Sequence, residues 1–181
     1  MRSTRLTLAG LAALIVTTGQ ALAGTTATYP ITGSVTSVCT AGTGSAFAYG
    51  KLTNDTTGAT TITAPGAITD NSAFCNQAGT TVMVQHSNLV TAAGSSSGFT
   101  SALPIASVSV KSAQNSTGVT DSTAPTGTNG VSLSSGTTTS TGSFGAFSNL
   151  IVSLTSGSPT GFLVASATYS GSVQITLAPG G

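Results

Sequence analysis

The side chains able to carry chemistry are few. Beyond residue 23 the chain holds one histidine, His86, three aspartates, Asp55, Asp70 and Asp121, two lysines, Lys51 and Lys111, and two cysteines, Cys39 and Cys75, with neither glutamate nor arginine. An enzyme needs groups that exchange protons or attack near its working pH, and His86 is the one side chain of that kind. It ends a β-branched run, Thr80 to His86, where a lone histidine is far more often a surface or hydrogen-bonded residue than a general base. Composition permits a triad of a serine, His86 and an aspartate, but no Gly-x-Ser-x-Gly stands at a strand-to-helix turn. Phosphate-cradling loops, EF-hand spacing and zinc pairs are missing as well. The expectation is a protein without catalysis, cofactor or metal. Asn54-Asp55-Thr56 and Asn115-Ser116-Thr117 match the acceptor pattern for N-glycosylation, a weak signal.

The cysteines point to a different chemistry. In an exported chain two cysteines most simply form one disulfide, with two free thiols or an intermolecular bridge as the alternatives. A bridge from Cys39 to Cys75 closes a loop of about 37 residues and removes roughly 4 kcal/mol of unfolded-state entropy.

Export is read from the first 23 residues. Arg2 and Arg5 precede an apolar run from Leu6 to Val16, and Ala21-Leu22-Ala23 forms a small-x-small exit before Gly24. This is the layout of a cleaved secretory signal peptide. A membrane anchor needs about 20 apolar residues, and this run breaks at Thr17, Thr18, Gly19 and Gln20. After cleavage two lysines oppose three aspartates, a net charge of minus one. Without a basic patch, neither nucleic acid nor an anionic membrane surface is expected as a partner. Residues 24–181 suit a single domain with a real core. Only 4% of the chain is charged, so Thr, Ser, Asn and Gly must keep the surface wet.

Strands must position these residues, because no helical period survives beyond the leader. In Ala167 to Leu177, Tyr169, Gly171, Val173, Ile175 and Leu177 alternate with Ser170, Ser172, Gln174 and Thr176, the pattern of a half-buried strand. A second alternation places Ala27, Tyr29, Ile31, Gly33 and Val35 in one register, and Pro30 makes it an edge strand, a bulge or two short strands. Further strands are expected at Ala46 to Tyr49, Thr60 to Ala64, Thr80 to His86, Ile105 to Val110 and Asn149 to Leu154, with Phe162 to Val164 leading into the last. Residues 91–101 read as a connection. From Gln114 to Gly145 the chain is mostly Ser, Thr and Gly, with Val131 and Leu133 its best strand signal. Seven or more short strands between frequent turns predict an antiparallel β-sandwich.

Four segments in order then suggest a family. Gly33-x-Val35-x-x-x-Cys39, Phe47-Ala48-Tyr49-Gly50-Lys51-Leu52, Phe74-Cys75 before a β-branched strand, and Ala167-Thr168-Tyr169-Ser170-Gly171-Ser172-Val173-Gln174-Ile175-Thr176-Leu177 resemble bacterial chaperone-usher pilus subunits. The likeness is to their archaic branch, the spore coat protein U domain group. It covers the two ends of the exported chain well and the middle poorly. The resemblance implies an immunoglobulin-like sandwich lacking its own final strand. A periplasmic chaperone would fill its groove until the N-terminal strand of another subunit replaces it, and an outer-membrane usher would export the growing fimbrium to the cell surface. Under that reading Tyr29, Ile31, Gly33 and Val35 are donor side chains, and Tyr169, Val173, Ile175 and Leu177 border the acceptor. The other expectation is a self-contained secreted β-sandwich, a binding module or matrix component, that keeps residues 27–35 as its own edge strand.

Overall fold

The structure is a computed structural model that describes residues 30–53, 56–77, 79–114, 118–144, 146–165 and 168–180. The expected signal segment, Tyr29, Asp55 and the asparagines of both glycosylation patterns lie outside the described residues. The chain divides into two units, Met1–Ser34 and Val35–Gly181. In the first, residues 30–34 form no strand.

The second unit is all β. In chain order its strands are β1 (Cys39–Thr40), β2 (Ile68–Asp70), β3 (Phe74–Cys75), β4 (Thr80–His86), β5 (Leu89–Val90), β6 (Phe99–Thr100) and β7 (Ala102–Leu103). They continue with β8 (Ile105–Ser112), β9 (Gly118–Asp121), β10 (Thr137–Phe144), β11 (Leu150–Ser156), β12 (Phe162–Leu163) and β13 (Val173–Ala178). One sheet runs β10-β4-β13 and the other β2-β11-β8-β9, every pairing within them being antiparallel. Three short ladders, β1-β3, β5-β7 and the parallel β6-β12, complete the pairing.

Alternation decides which faces meet. In β4, Thr80, Val82, Val84 and His86 are buried while Thr81, Met83 and Gln85 are half-buried, as a period of two requires. In the facing sheet β8 turns Ile105, Val108 and Val110 inward, β9 adds Val119, and β11 adds Leu150 and Val152. One apolar cluster thus draws on both sheets, which makes the fold a sandwich. Each fully buried Val or Leu contributes on the order of 1.5–3 kcal/mol.

The disulfide forms between Cys39 and Cys75, which are also paired across the β1-β3 ladder. Phe147, from the loop before β11, exchanges backbone hydrogen bonds with Cys75 and buries its ring in the core.

Several strand boundaries differ from those read in the sequence. The regular ladder of the last strand begins at Val173, and Ser170 holds an isolated bridge to Val90; Ala167, where the strand was expected to start, lies outside the described residues. The backbone is pressed close here: a Cβ on Gly171 would stand 2.6 Å from the Asn88 carbonyl oxygen, so the strand is interrupted between the two pairings. Residues 46–49 form no strand, and Thr60 makes only a bridge to Thr53. Val131, expected in a strand, is exposed behind a 3₁₀ turn at Thr128–Gly130 in which Asn129 is left-handed at φ 59°. The strands of the Ser/Thr/Gly tract lie elsewhere, at β9 and β10. Thr137, Thr138 and Thr139 pair with Val84, Met83 and Val82, so β-branched threonine serves where apolar residues are absent.

The two bridged cysteines are 36 residues apart. Reducing the bond is expected to lower unfolding stability by roughly 4 kcal/mol. Urea unfolding with and without reductant, with midpoint and slope both fitted, checks this.

Candidate functional site

The two margins of the sandwich are built differently. At one margin Asp121 of β9 reaches across to the other sheet. Its Oδ2 lies 2.9 Å from His86 Nδ1 and accepts from Ser134 Oγ at 2.5 Å, while Oδ1 accepts from Thr137 Oγ1 and the Thr123 N–H, each at 3.0 Å. His86 Nε2 lies 3.0 Å from the Ile105 carbonyl oxygen. Both ring nitrogens are therefore held, Nδ1 by the carboxylate and Nε2 by a backbone carbonyl. His86 and Asp121 are completely buried. Burial alone would raise the Asp121 pKa, but hydrogen bonds from Ser134, Thr123 and Thr137 outweigh it and hold the carboxyl down to about 2. These three residue types are those of a hydrolytic triad, yet the arrangement is not one. The Ser134 hydroxyl is bound to the carboxylate, Nε2 faces a backbone carbonyl, and both side chains are buried.

The opposite margin is open. β13 stands at the end of its sheet and pairs only with β4, so alternate N–H and C=O groups along its other edge have no strand partner among the described residues. Facing it, β2 ends the second sheet and covers β11 only from Leu150 to Val152. Between these edges lies a cleft of about 470 Å³. Its floor is Leu89, Ile105, Leu150, Val152 and Leu154, and its walls are Phe47, Val173 and Ile175. Val173, Ile175 and Leu177 are half-buried against the core, while Gln174 and Thr176 are exposed. Of the residues read as the final strand, Val173 and Ile175 line the cleft in regular β geometry and Leu177 follows them on the same face; Gly171 lines the cleft ahead of the strand, and Tyr169 lines the second cleft.

A second cleft of about 880 Å³ continues the first, sharing Phe47, Tyr49 and Leu89 and adding Phe99, Phe162 and Tyr169. Its tyrosines are tied into the fold. Tyr49 Oη accepts from Ser156 Oγ at 3.0 Å, and Tyr169 Oη donates to the Val164 carbonyl at 2.8 Å. Burial raises both phenol pKa values, against those hydrogen bonds.

The rim of the first cleft is a loop fastened by Asp70. Its carboxylate accepts from the Ser72 hydroxyl at 2.6 Å, the Ser72 N–H at 2.9 Å and the Gly44 N–H at 3.1 Å, and these bonds, the hydroxyl foremost, hold its pKa below the ordinary value. Gly42 sits against that carboxylate at φ 82°, where a Cβ would come within 2.3 Å of Oδ2. At the other end of the chain's order, Gly33 has nothing within 4 Å of a built Cβ, and Ile31 and Val35 are exposed.

No protein-family model matches the chain. No curated protein and no solved structure matches it either.

Sequence reasoning singled out the two cysteines and the strand with Val173, Ile175 and Leu177, but it missed the Asp121 network and the floor residues Leu89 and Ile105 as parts of one opening. A solitary Asp in a hydroxyl-rich tract was the available signal, because an isolated charge there needs a partner.

Two outcomes are expected. The folded Asp121 pKa of about 2 lies below the unfolded value of 3.8, so its stabilisation is complete above pH 4 and lost as the pH falls through 2. Thermal scans should show about 2 kcal/mol disappearing across that window, and Asp121→Asn should remove the acid step itself. Gly42→Ala should cost roughly 1–3 kcal/mol through backbone strain and the Asp70 collision, measured by urea unfolding.

Proposed function

We propose that this protein is a structural subunit of a surface fibre, an immunoglobulin-like sandwich without its final strand, whose copies join when the leading segment of one completes the open margin of the next. The observation that carries this reading is the unpaired edge of β13 above an apolar floor. An added strand would gain backbone hydrogen bonds along the edge and place every second side chain on Ile105, Val152 and Leu154.

The leading segment has the matching pattern. Ile31 and Val35 flank Gly33 at a spacing of two and are 97% and 86% exposed, respectively, in the single chain. Burying an Ile and a Val is worth roughly 1.5–3 kcal/mol each. Gly33 suits a shallow place in the slot, as it carries no side chain.

An exposed β edge invites unwanted pairing, so a chain of this kind requires a holder until it assembles. The proposal therefore includes a periplasmic chaperone, an outer-membrane usher and other copies as partners, and a route through the periplasm to the cell surface. No catalytic role is proposed: the one histidine is committed to holding the closed margin together.

Purified chain beginning at Gly24 is expected to form heat-sensitive, SDS-resistant ladders. Deleting residues 24–35 should abolish the ladders while leaving chaperone binding intact. A soluble, cooperatively unfolding monomer from the undeleted chain, unfolded by the same deletion, would overturn the proposal in favour of a self-contained sandwich.

A further inference from the structure

The leading segment has almost no slack where it joins the body. Asn76 binds its root on both sides: the Val38 N–H donates to Asn76 Oδ1 at 2.8 Å, Asn76 Nδ2 donates to the Thr36 carbonyl at 2.8 Å, and the Asn76 N–H donates to the Val38 carbonyl at 3.2 Å. From Thr36 onward the chain is thus fixed to its own sandwich. If Val35 occupies another copy's slot, one peptide step of about 3.8 Å separates slot from body. The two bodies must then touch.

Which surface receives the neighbour follows from strand direction. Both existing partners in the β13 sheet pair antiparallel, and the antiparallel ladder is the slightly more stable one per residue. A strand added antiparallel to β13 has its C-terminal end, Val35, beside Val173. There the slot runs on into the aromatic cleft, where Phe99 and Phe162 stand half-exposed with ring centroids 6.0 Å apart. On the supplying copy, the surface around the root carries Val38 and Phe74, both also partly exposed beside the β1-β3 ladder.

Resting on strand addition as its premise, we propose that the aromatic mouth formed by Phe99, Phe162 and Tyr169 is a docking surface for the body of the preceding copy, and that it receives the apolar root at Val38 and Phe74. The two surfaces lie on different faces of the chain, so the contact is head-to-tail and propagates as an open filament rather than closing on itself. Asn76 is a positioning residue for this contact, because it sets where the supplying body stops.

The test is a proximity measurement in assembled fibres. The full chain carrying V38C together with F162C is assembled, treated with a short bismaleimide, boiled in SDS and compared with a V38C and T176C chain, in which the second site is exposed at the far part of β13. Covalent ladders from the first pair and their absence from the second are the expected result. Ladders from the second pair alone mean the strand enters in the opposite direction, and overturn the docking surface. SDS-resistant ladders before boiling with no covalent product from either pair leave strand addition standing but overturn the docking surface. Absence of ladders before boiling overturns both.

Discussion

An unpaired β edge above an apolar floor is the constraint on which the rest of the structure depends. Two sheets packed face to face enclose a core only if both margins are closed. Here one margin is sealed by hydrogen bonds, and at the other the outer edge of β13 has no strand partner among the described residues. At the sealed margin Asp121, His86, Ser134 and Thr137 form one hydrogen-bonded network that ties β9 to β4 and β10 across the gap between sheets. A buried polar network of this kind holds only when nearly every lone pair and hydrogen finds a partner, and the Ile105 carbonyl and the Thr123 N–H complete the set.

That division gives the sandwich a rigid side and a receptive one. Ile105 belongs to both, since its carbonyl accepts from His86 and its side chain floors the cleft. The disulfide joins β1 to β3, and Asp70 fixes the cleft rim through Gly44 and Ser72. The cleft thus keeps its shape from anchored elements on several sides, which is the preorganisation that a strand-binding groove needs if ordering costs are not to cancel the gain from pairing.

What the sequence made legible followed from alternation and from apolar runs. The regular part of β13 was readable from its alternation, and β4, β8 and β11 from short runs rich in β-branched and apolar residues that must face a core. The cysteines were readable because, in a chain whose start has the layout of a signal peptide, a pair of them has few other uses. β9 and β10 were hidden in hydroxyl-rich sequence, where threonine pairs well in a sheet but leaves no hydrophobic period to detect. The interruption at Gly171 was hidden for a different reason: it depends on the backbone of Asn88, distant in sequence, coming within contact range. The cleft itself could not be read from any segment alone, because it is made by the absence of a neighbour beside β13 and becomes visible only when all the pairings are known. The alternation of Ile31, Gly33 and Val35 belongs to the same category, being a strand pattern in search of an edge.

Amide hydrogen exchange along β13 tests the central claim most directly. In the isolated, unassembled chain, N–H groups that point away from β4 should exchange nearly as fast as solvated amides while their neighbours bonded to β4 are protected. On assembly the outward set should slow by roughly a hundredfold or more. Uniform protection along β13 in the isolated chain, or an outward set unchanged by assembly, would contradict an open margin that another copy completes.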